Sequence, residues 1–366
     1  MKLKDLIESN NTGLDAIKRA PIVDYDTGVR CLRIGDISNN RPFNEWGYTE
    51  VEDNNYNKFQ LKTGDIIVAR TGATIGVNKY IDKDYKSVYN NGLIRIRVKK
   101  ENNPKYVYYL LQSTNYKNFI KTISMGTSTQ PNMQMNDLLN LKVPDFDKSK
   151  QDKIVEILGK IDDKIELNNE INNNLHELEK NLYKEYFKDL SDDNTKKLGE
   201  LCNIKYGKGL PTTKIEKEGY PVYGGNGIIG YYHEFIYDNS QVLISCRGAA
   251  SGNVIVSKPK SFVTNNSLIL ECDRKYHYYL KQYSLDNYYY EYTTGSAQPQ
   301  ITIDNIKDIV LSIPSDELLE SFNKQMENLE LKYFSNLEEI SKLEQLRDTL
   351  LPKLMNGEID LDSIEI

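Results

Sequence analysis

The chain repeats itself, and that repeat limits what it can fold into. "VARTGATIG" (Val68–Gly76) returns as "ISCRGAASG" (Ile244–Gly252). Five further pairs follow in the same order. "KLKDL" (Lys2–Leu6) answers "KLGEL" (Lys197–Leu201), and "NNGLIRI" (Asn90–Ile96) answers "NNSLILE" (Asn265–Glu271). "KYVYYLL" (Lys105–Leu111) answers "KYHYYLK" (Lys275–Lys281), and "TSTQP" (Thr127–Pro131) answers "GSAQP" (Gly295–Pro299). "LLNLKVP" (Leu138–Pro144) answers "KDIVLSIP" (Lys307–Pro314). The repeating unit of about 180 residues is far longer than a solenoid repeat, so each copy must bury its own core.

Each copy has two parts. The first contains short runs rich in β-branched and apolar residues, such as "DIIVAR", "GLIRIRV" and "VLISC". These read as strands separated by turns, with a helix around "KYVYYLLQSTNYKNFIK". The second part is polar with apolar residues three and four apart, a helical stripe. In the first copy the stripe is Ile154, Leu158, Ile161, Ile165, Leu175, Leu178 and Leu182. In the second it is Leu319, Phe322, Met326, Leu329, Tyr333, Leu337, Ile340, Leu343, Leu346 and Leu350. Stripes this narrow need a partner helix, and each copy supplies one for the other as a coiled coil. The run "NNEINNN" (Asn168–Asn174) puts polar residues in that seam, which costs stability and sets register. The expected fold is α+β. Two pseudo-symmetric mixed α/β domains (1–148 and 191–314) alternate with two long antiparallel coiled-coil helices (149–190 and 315–366).

The net charge of −6 argues against a nucleic-acid partner until it is divided by segment. Residues 1–148 hold 22 basic and 17 acidic side chains, and residues 191–314 hold 13 of each. The acid is concentrated in the helices: 10 acidic against 7 basic in 149–190, and 13 against 5 in 315–366. Cys31, Cys202, Cys246 and Cys272 are far apart in sequence and read as reduced thiols rather than a zinc site or disulfide frame. No apolar run is long enough for a membrane span and the first residues lack a signal-peptide pattern, so a cytoplasmic protein is expected.

Catalytic motifs are weak. Gly225, Gly227 and Gly230 match G-x-G-x-x-G, but "YYHEFIYDN" follows, strand-like rather than helical, so a surface turn is the better reading. Pro144-Asp145 with Asp162-Asp163-Lys164 fits a loose nuclease pattern. A metal site of that kind needs its acids together on neighbouring strands, whereas Asp162 falls in a long helix. His176, His233 and His277 are expected at the surface. The chain reads as a binder, with no metal site and no cofactor of its own.

The repeated turn offers the binding chemistry. Arg70 and Thr71 end an apolar strand before Gly72, and a guanidinium fork and hydroxyl there can bond phosphate or a guanine edge. An ion pair within the domain is the competing role for Arg70. In the second copy the ungapped match sets Cys246 against Arg70 and Arg247 against Thr71. Either a bulge absorbs that shift or the two copies read different things. Gln130 and Gln298 can bond adenine, or simply belong to turns before Pro131 and Pro299. Lys208 and Asn226 complete the candidate DNA contacts.

"LRIGDI" (Leu32–Ile37), "GDIIVARTGATIG" (Gly64–Gly76), "GTSTQP" (Gly126–Pro131) and "LRDTLLPKLMNGEI" (Leu346–Ile359) resemble the specificity subunit of type I restriction–modification systems. So does the order of domain, long helix, domain, long helix. The resemblance implies two target recognition domains that read the two halves of a bipartite, asymmetric site in double-stranded DNA. It implies a subunit without catalysis of its own. Such a subunit carries two methylation subunits, which use S-adenosylmethionine to methylate adenine, and it recruits motor-nuclease subunits. A scaffold that joins proteins without touching DNA is the alternative.

Overall fold

The computed structural model describes residues 1–125, 132–191, 193–295 and 298–361. It forms two compact units, Met1–Leu167 with Glu339–Ile366, and Asn168–Glu338. The first contains β1 (Ile7–Thr12), β2 (Ile22–Val23), β3 (Arg30–Leu32), β4 (Gly47–Thr49), β5 (Ile66–Ala69), β6 (Asn78–Tyr80), β7 (Ser87–Tyr89) and β8 (Leu93–Val98). They make two sheets, ordered β1-β8-β5-β6 and β2-β4-β3-β7. The run "IIVA" is apolar throughout because β5 is buried on both faces. Ile66 and Val68 face a core with the helix Pro104–Leu110 and the long helices, while Ile67 and Ala69 face the second sheet and Trp46.

The second unit repeats this plan with β9 (Thr195–Lys197), β10 (Cys202–Tyr206), β11 (Tyr220–Gly224), β12 (Gly227–Tyr232), β13 (Val242–Ser245), β14 (Val254–Val256), β15 (Phe262–Val263), β16 (Ser267–Cys272) and β17 (Val310–Ser312). Its sheets are β10-β16-β13-β14, β12-β11-β15 and β17-β9. The equivalences are set by hydrogen bonds. β3 and β7 pair in parallel as β11 and β15 do, and β5 pairs antiparallel with β8 as β13 does with β16. The sequence match needs one correction. It aligned Leu93 with Leu268, but Ala69 pairs with Leu93 and Ser245 with Ser267. The repeated Asn-Asn dipeptide drew the sequences together one residue out of register; the loop before the strand has three residues in both units, Asn90–Gly92 and Thr264–Asn266, and the dipeptide sits one place later in the second.

The long helices run Lys148–Phe187 and Asp316–Met355, 40 residues each, and Pro352 is carried inside the last turn of the second. Within each unit their segments are antiparallel: Arg347 Nη1 meets Asp162 at 3.2 Å in the first, and Asn336 Nδ2 donates to Asn172 Oδ1 at 2.8 Å in the second. Both asparagines are buried, as the polar seam required. Leu178 and Leu346 depart from the expected stripe and are 45% and 46% exposed, while Glu179 is buried instead. Glu179 faces the helix Arg274–Asn287, whose Lys281 Nζ reaches Glu179 Oε1 at 3.2 Å and Glu330 Oε1 at 3.4 Å. Gln282 Nε2 also donates to Glu179. Burial works against the Glu179 carboxylate, but His176 and the Lys281 ammonium outweigh it and hold its pKa below the usual range. His277 is not at the surface as expected. It is half-buried, 3.3 Å from Ser240 Oγ, and burial lowers its pKa.

These groups predict an acid-labile second unit. His277 resists protonation in the fold, so stability falls as pH drops below the unfolded value near 6.5. Glu179 keeps its charge in the fold, so a second loss begins below the unfolded value near 4.5. Lys281→Met leaves Glu179 buried without its cation and should cost about 3–5 kcal/mol in urea unfolding, much of it recovered by adding Glu179→Gln.

Candidate nucleic-acid interface

The repeated turn hangs from the C-terminal end of the central strand in each unit. Gly76 N–H donates to Ala69 O at 2.8 Å, and Gly252 N–H to Ser245 O at 2.9 Å. Arg70 N–H donates to Gly92 O at 2.9 Å, and Cys246 N–H to Asn266 O at 3.0 Å. On the other side Met133 N–H donates to Arg70 O (2.8 Å) and Ile301 N–H to Cys246 O (3.1 Å). The register question is thereby answered. No bulge absorbs the shift: Arg70 is equivalent to Cys246, and Thr71 to Arg247. Thr71 bridges Asn132 as Arg247 bridges Gln300.

The side chains diverge on this common frame. Cys246 is buried, with its thiol pKa raised by burial. Arg70 at the same place is half-buried, its Nη2 donating to Asn132 Oδ1 at 3.2 Å while its buried Nε has no acceptor among the described residues. Arg70 forms no ion pair among the described residues; it bonds a neutral amide. Arg247 is exposed and Thr71 half-buried.

Three second-unit candidates converge on the segment Val263–Asn266, and a fourth adjoins the repeated turn. Lys208 is exposed, its N–H donating to Val263 O at 2.9 Å. Asn226 is exposed at the two-residue turn of the β11–β12 hairpin. That turn touches the end of β13: a Cβ on Gly225 would lie 2.9 Å from Ser245 Oγ and 3.3 Å from Asn266 O. Arg247 follows Cys246, which is bonded to Asn266. Gln298 is exposed and precedes Pro299, whose carbonyl accepts from Gly248 N–H at 3.0 Å. In the first unit Arg70 and Thr71 stand together; Gln130 lies outside the described residues.

Sequence reasoning missed Asn132 and Gln300. Both are exposed, and each follows a Gln-Pro dipeptide. The shared carboxamide after "QP" was a visible signal. The discarded motifs fall as expected. Gly227 and Gly230 lie in β12 rather than at the start of a helix. Asp162 is taken by Tyr109 OH (2.6 Å) and by Arg347, on a helix and not beside a second strand.

The family model for the type I restriction modification DNA specificity domain matches residues 1–177 and again 191–348. The chain belongs to that family, with its domain present twice. Curated relatives agree. The MjaIX specificity subunit of Methanocaldococcus jannaschii is 24% identical over 71% of this chain and 70% of its own length. The HindI specificity subunit of Haemophilus influenzae is 23% identical over 90% of this chain and 94% of its own length. The crystal structure of a type I S subunit from M. genitalium shares the fold, with a TM-score of 0.61 at 20% identity over 97% of this chain and 95% of that one.

The turn's glycines differ in tolerance. Gly72 and Gly248 have φ of +82° and +79° and open space where a Cβ would go, so alanine there should cost about 1 kcal/mol. At Gly76 a Cβ would meet Ile120 at 2.7 Å, and at Gly252 the backbone N of Tyr290 at 2.7 Å. A side chain can move and a backbone cannot, so thermal unfolding should rank Gly252→Ala as the most destabilising of the four.

Proposed function

We propose that this chain reads a bipartite, asymmetric DNA site for a type I restriction–modification complex, one half-site per recognition domain. The observation that carries this is the strand-end frame: the same hydrogen bonds recur in both units while the outward side chains differ. Two different half-sites joined by an unspecified gap follow from two related but unequal readers. The chain itself performs no chemistry. Its long helices carry the methylation subunits, two in number, in which S-adenosylmethionine supplies the methyl group for adenine, and they recruit motor-nuclease subunits. It acts in the cytoplasm. Among the described residues no helix is long and apolar enough to cross a membrane.

The candidate contacts are Arg70, Thr71 and Gln130 in the first domain, and Lys208, Asn226, Arg247 and Gln298 in the second. Arg70 is assigned to phosphate, because its domain carries the basic excess. Arg247 is open between phosphate and guanine.

Methylome sequencing with and without the gene should show a split, non-palindromic adenine-methylated motif; a continuous or palindromic one would refute the reading. In the assembled complex, Arg70→Ala should weaken target and scrambled duplexes alike and reduce the salt slope by about one. If Arg247 reads guanine, Arg247→Ala should relax one base of one half-site, at a cost of about 1–3 kcal/mol.

A further inference from the structure

We propose that the repeated turn is a phosphate clamp, formed by its main-chain N–H groups together with the carboxamide paired across from it, Asn132 in the first unit and Gln300 in the second. The proposal rests on the DNA-binding reading above and assigns the turn its ligand. In both units the turn closes on itself, Ile75 N–H to Gly72 O at 3.2 Å and Ser251 N–H to Gly248 O at 2.9 Å. Inside it lie two successive amides, those of Ala73 and Thr74 and those of Ala249 and Ala250. None has an acceptor among the described residues, and Ala73 and Ala249 are exposed. Successive outward N–H groups of a turn form a concavity suited to an anion.

The carboxamide stands beside this turn. Arg247 and Gln300 are an antiparallel pair flanked by the bonds Gly248 N–H to Pro299 O and Ile301 N–H to Cys246 O. They exchange no bonds themselves, the arrangement that brings two side chains closest. In the first unit Arg70 occupies Asn132 Oδ1, which leaves the Asn132 amide nitrogen to donate outward. In the second, Arg247 forms no ion pair among the described residues, and both it and Gln300 are exposed. Outward-facing groups here are predominantly donors, and phosphate oxygens only accept.

Duplication separates this role from base reading. What differs outwardly between the copies is suited to what differs between two half-sites: Thr71 against Arg247, and the short helix Ile34–Ser38 against the Gly225–Asn226 turn. What the copies share, a glycine-bounded turn and a carboxamide, is suited to what every duplex shares, its backbone.

The test uses the complex assembled with its methylation subunits. Asn132→Ala and Gln300→Ala change exposed side chains and should fold normally. Ala249→Pro removes one turn amide at a position that favours proline. Each should lower affinity for target and scrambled duplexes by the same factor, about tenfold for one lost hydrogen bond to a charged group, with the methylated motif unchanged. Gln300→Asn and Asn132→Gln, which keep the carboxamide, should restore most of the binding. A variant that relaxes one base position and binds scrambled DNA as the parent does would make the amide a base reader and overturn the proposal. So would alanine variants that bind both duplexes as the parent does. A parent complex with no sequence preference would instead remove the DNA-reading function itself, and it is recognised without any variant.

Discussion

Two main-chain hydrogen bonds in each unit hold the strand end that presents the polar side chains. One joins the residue after the central strand to the loop before β8 or β16, and the other joins the segment after Gln-Pro to that same residue. Together they tie three chain segments, distant in sequence, to one point. Because they use backbone groups only, they survive the exchange of Arg70 for Cys246 and of Thr71 for Arg247. A frame that does not depend on side chains can be copied and then given different contacts. The glycines at the turn's two ends make it possible, since positive φ is needed at both in both units.

The long helices obey a different constraint. Their seam is not uniformly apolar. Near its middle it holds Asn172 and Asn336, and further along Glu179 and Glu330 hold Lys281 from the recognition domain. The asparagine pair leaves Asn172 Nδ2 and Asn336 Oδ1 without partners among the described residues, a penalty of about 1–3 kcal/mol for each unmet group. An apolar pair there would be more stable but would tolerate sliding. The buried lysine likewise adds specificity more than stability, since it bonds only if the helix Arg274–Asn287 sits in one position against Glu179. Most acidic residues of both helices are exposed.

Much of this was legible in residue patterns. Strand runs such as "DIIVA", the helical periodicity and the Asn-rich seam each follow from local rules, and the duplicated turn was legible as a strand end closed by glycines, as the structure has it. Misreadings arose where contacts far along the chain decided. Leu178 fits the helical stripe, yet Glu179 is the buried residue, because Lys281 and Gln282 offer it partners a hundred residues away. His277 looked like a surface residue for want of neighbours in sequence, but Ser240 and Glu330 surround it in the fold. Asn132 and Gln300 were passed over because what places them beside the turn is a cross-strand partner some 50–60 residues distant.

The sequence by itself determined that the chain is a duplicated unit with paired long helices, that its family is that of DNA specificity subunits, and that the glycine turn occurs in both copies. Period, composition and repeated motifs are properties of adjacent residues, and they need no third dimension. The tertiary structure alone decided which residue of each turn faces inward. Arg70 and Cys246 are equivalent only because each donates its N–H into the loop before a strand that lies twenty residues further on. Alternation along a strand turns a shift of one residue into a change of face, and the direction of that shift is written in hydrogen bonds between segments, not in either segment.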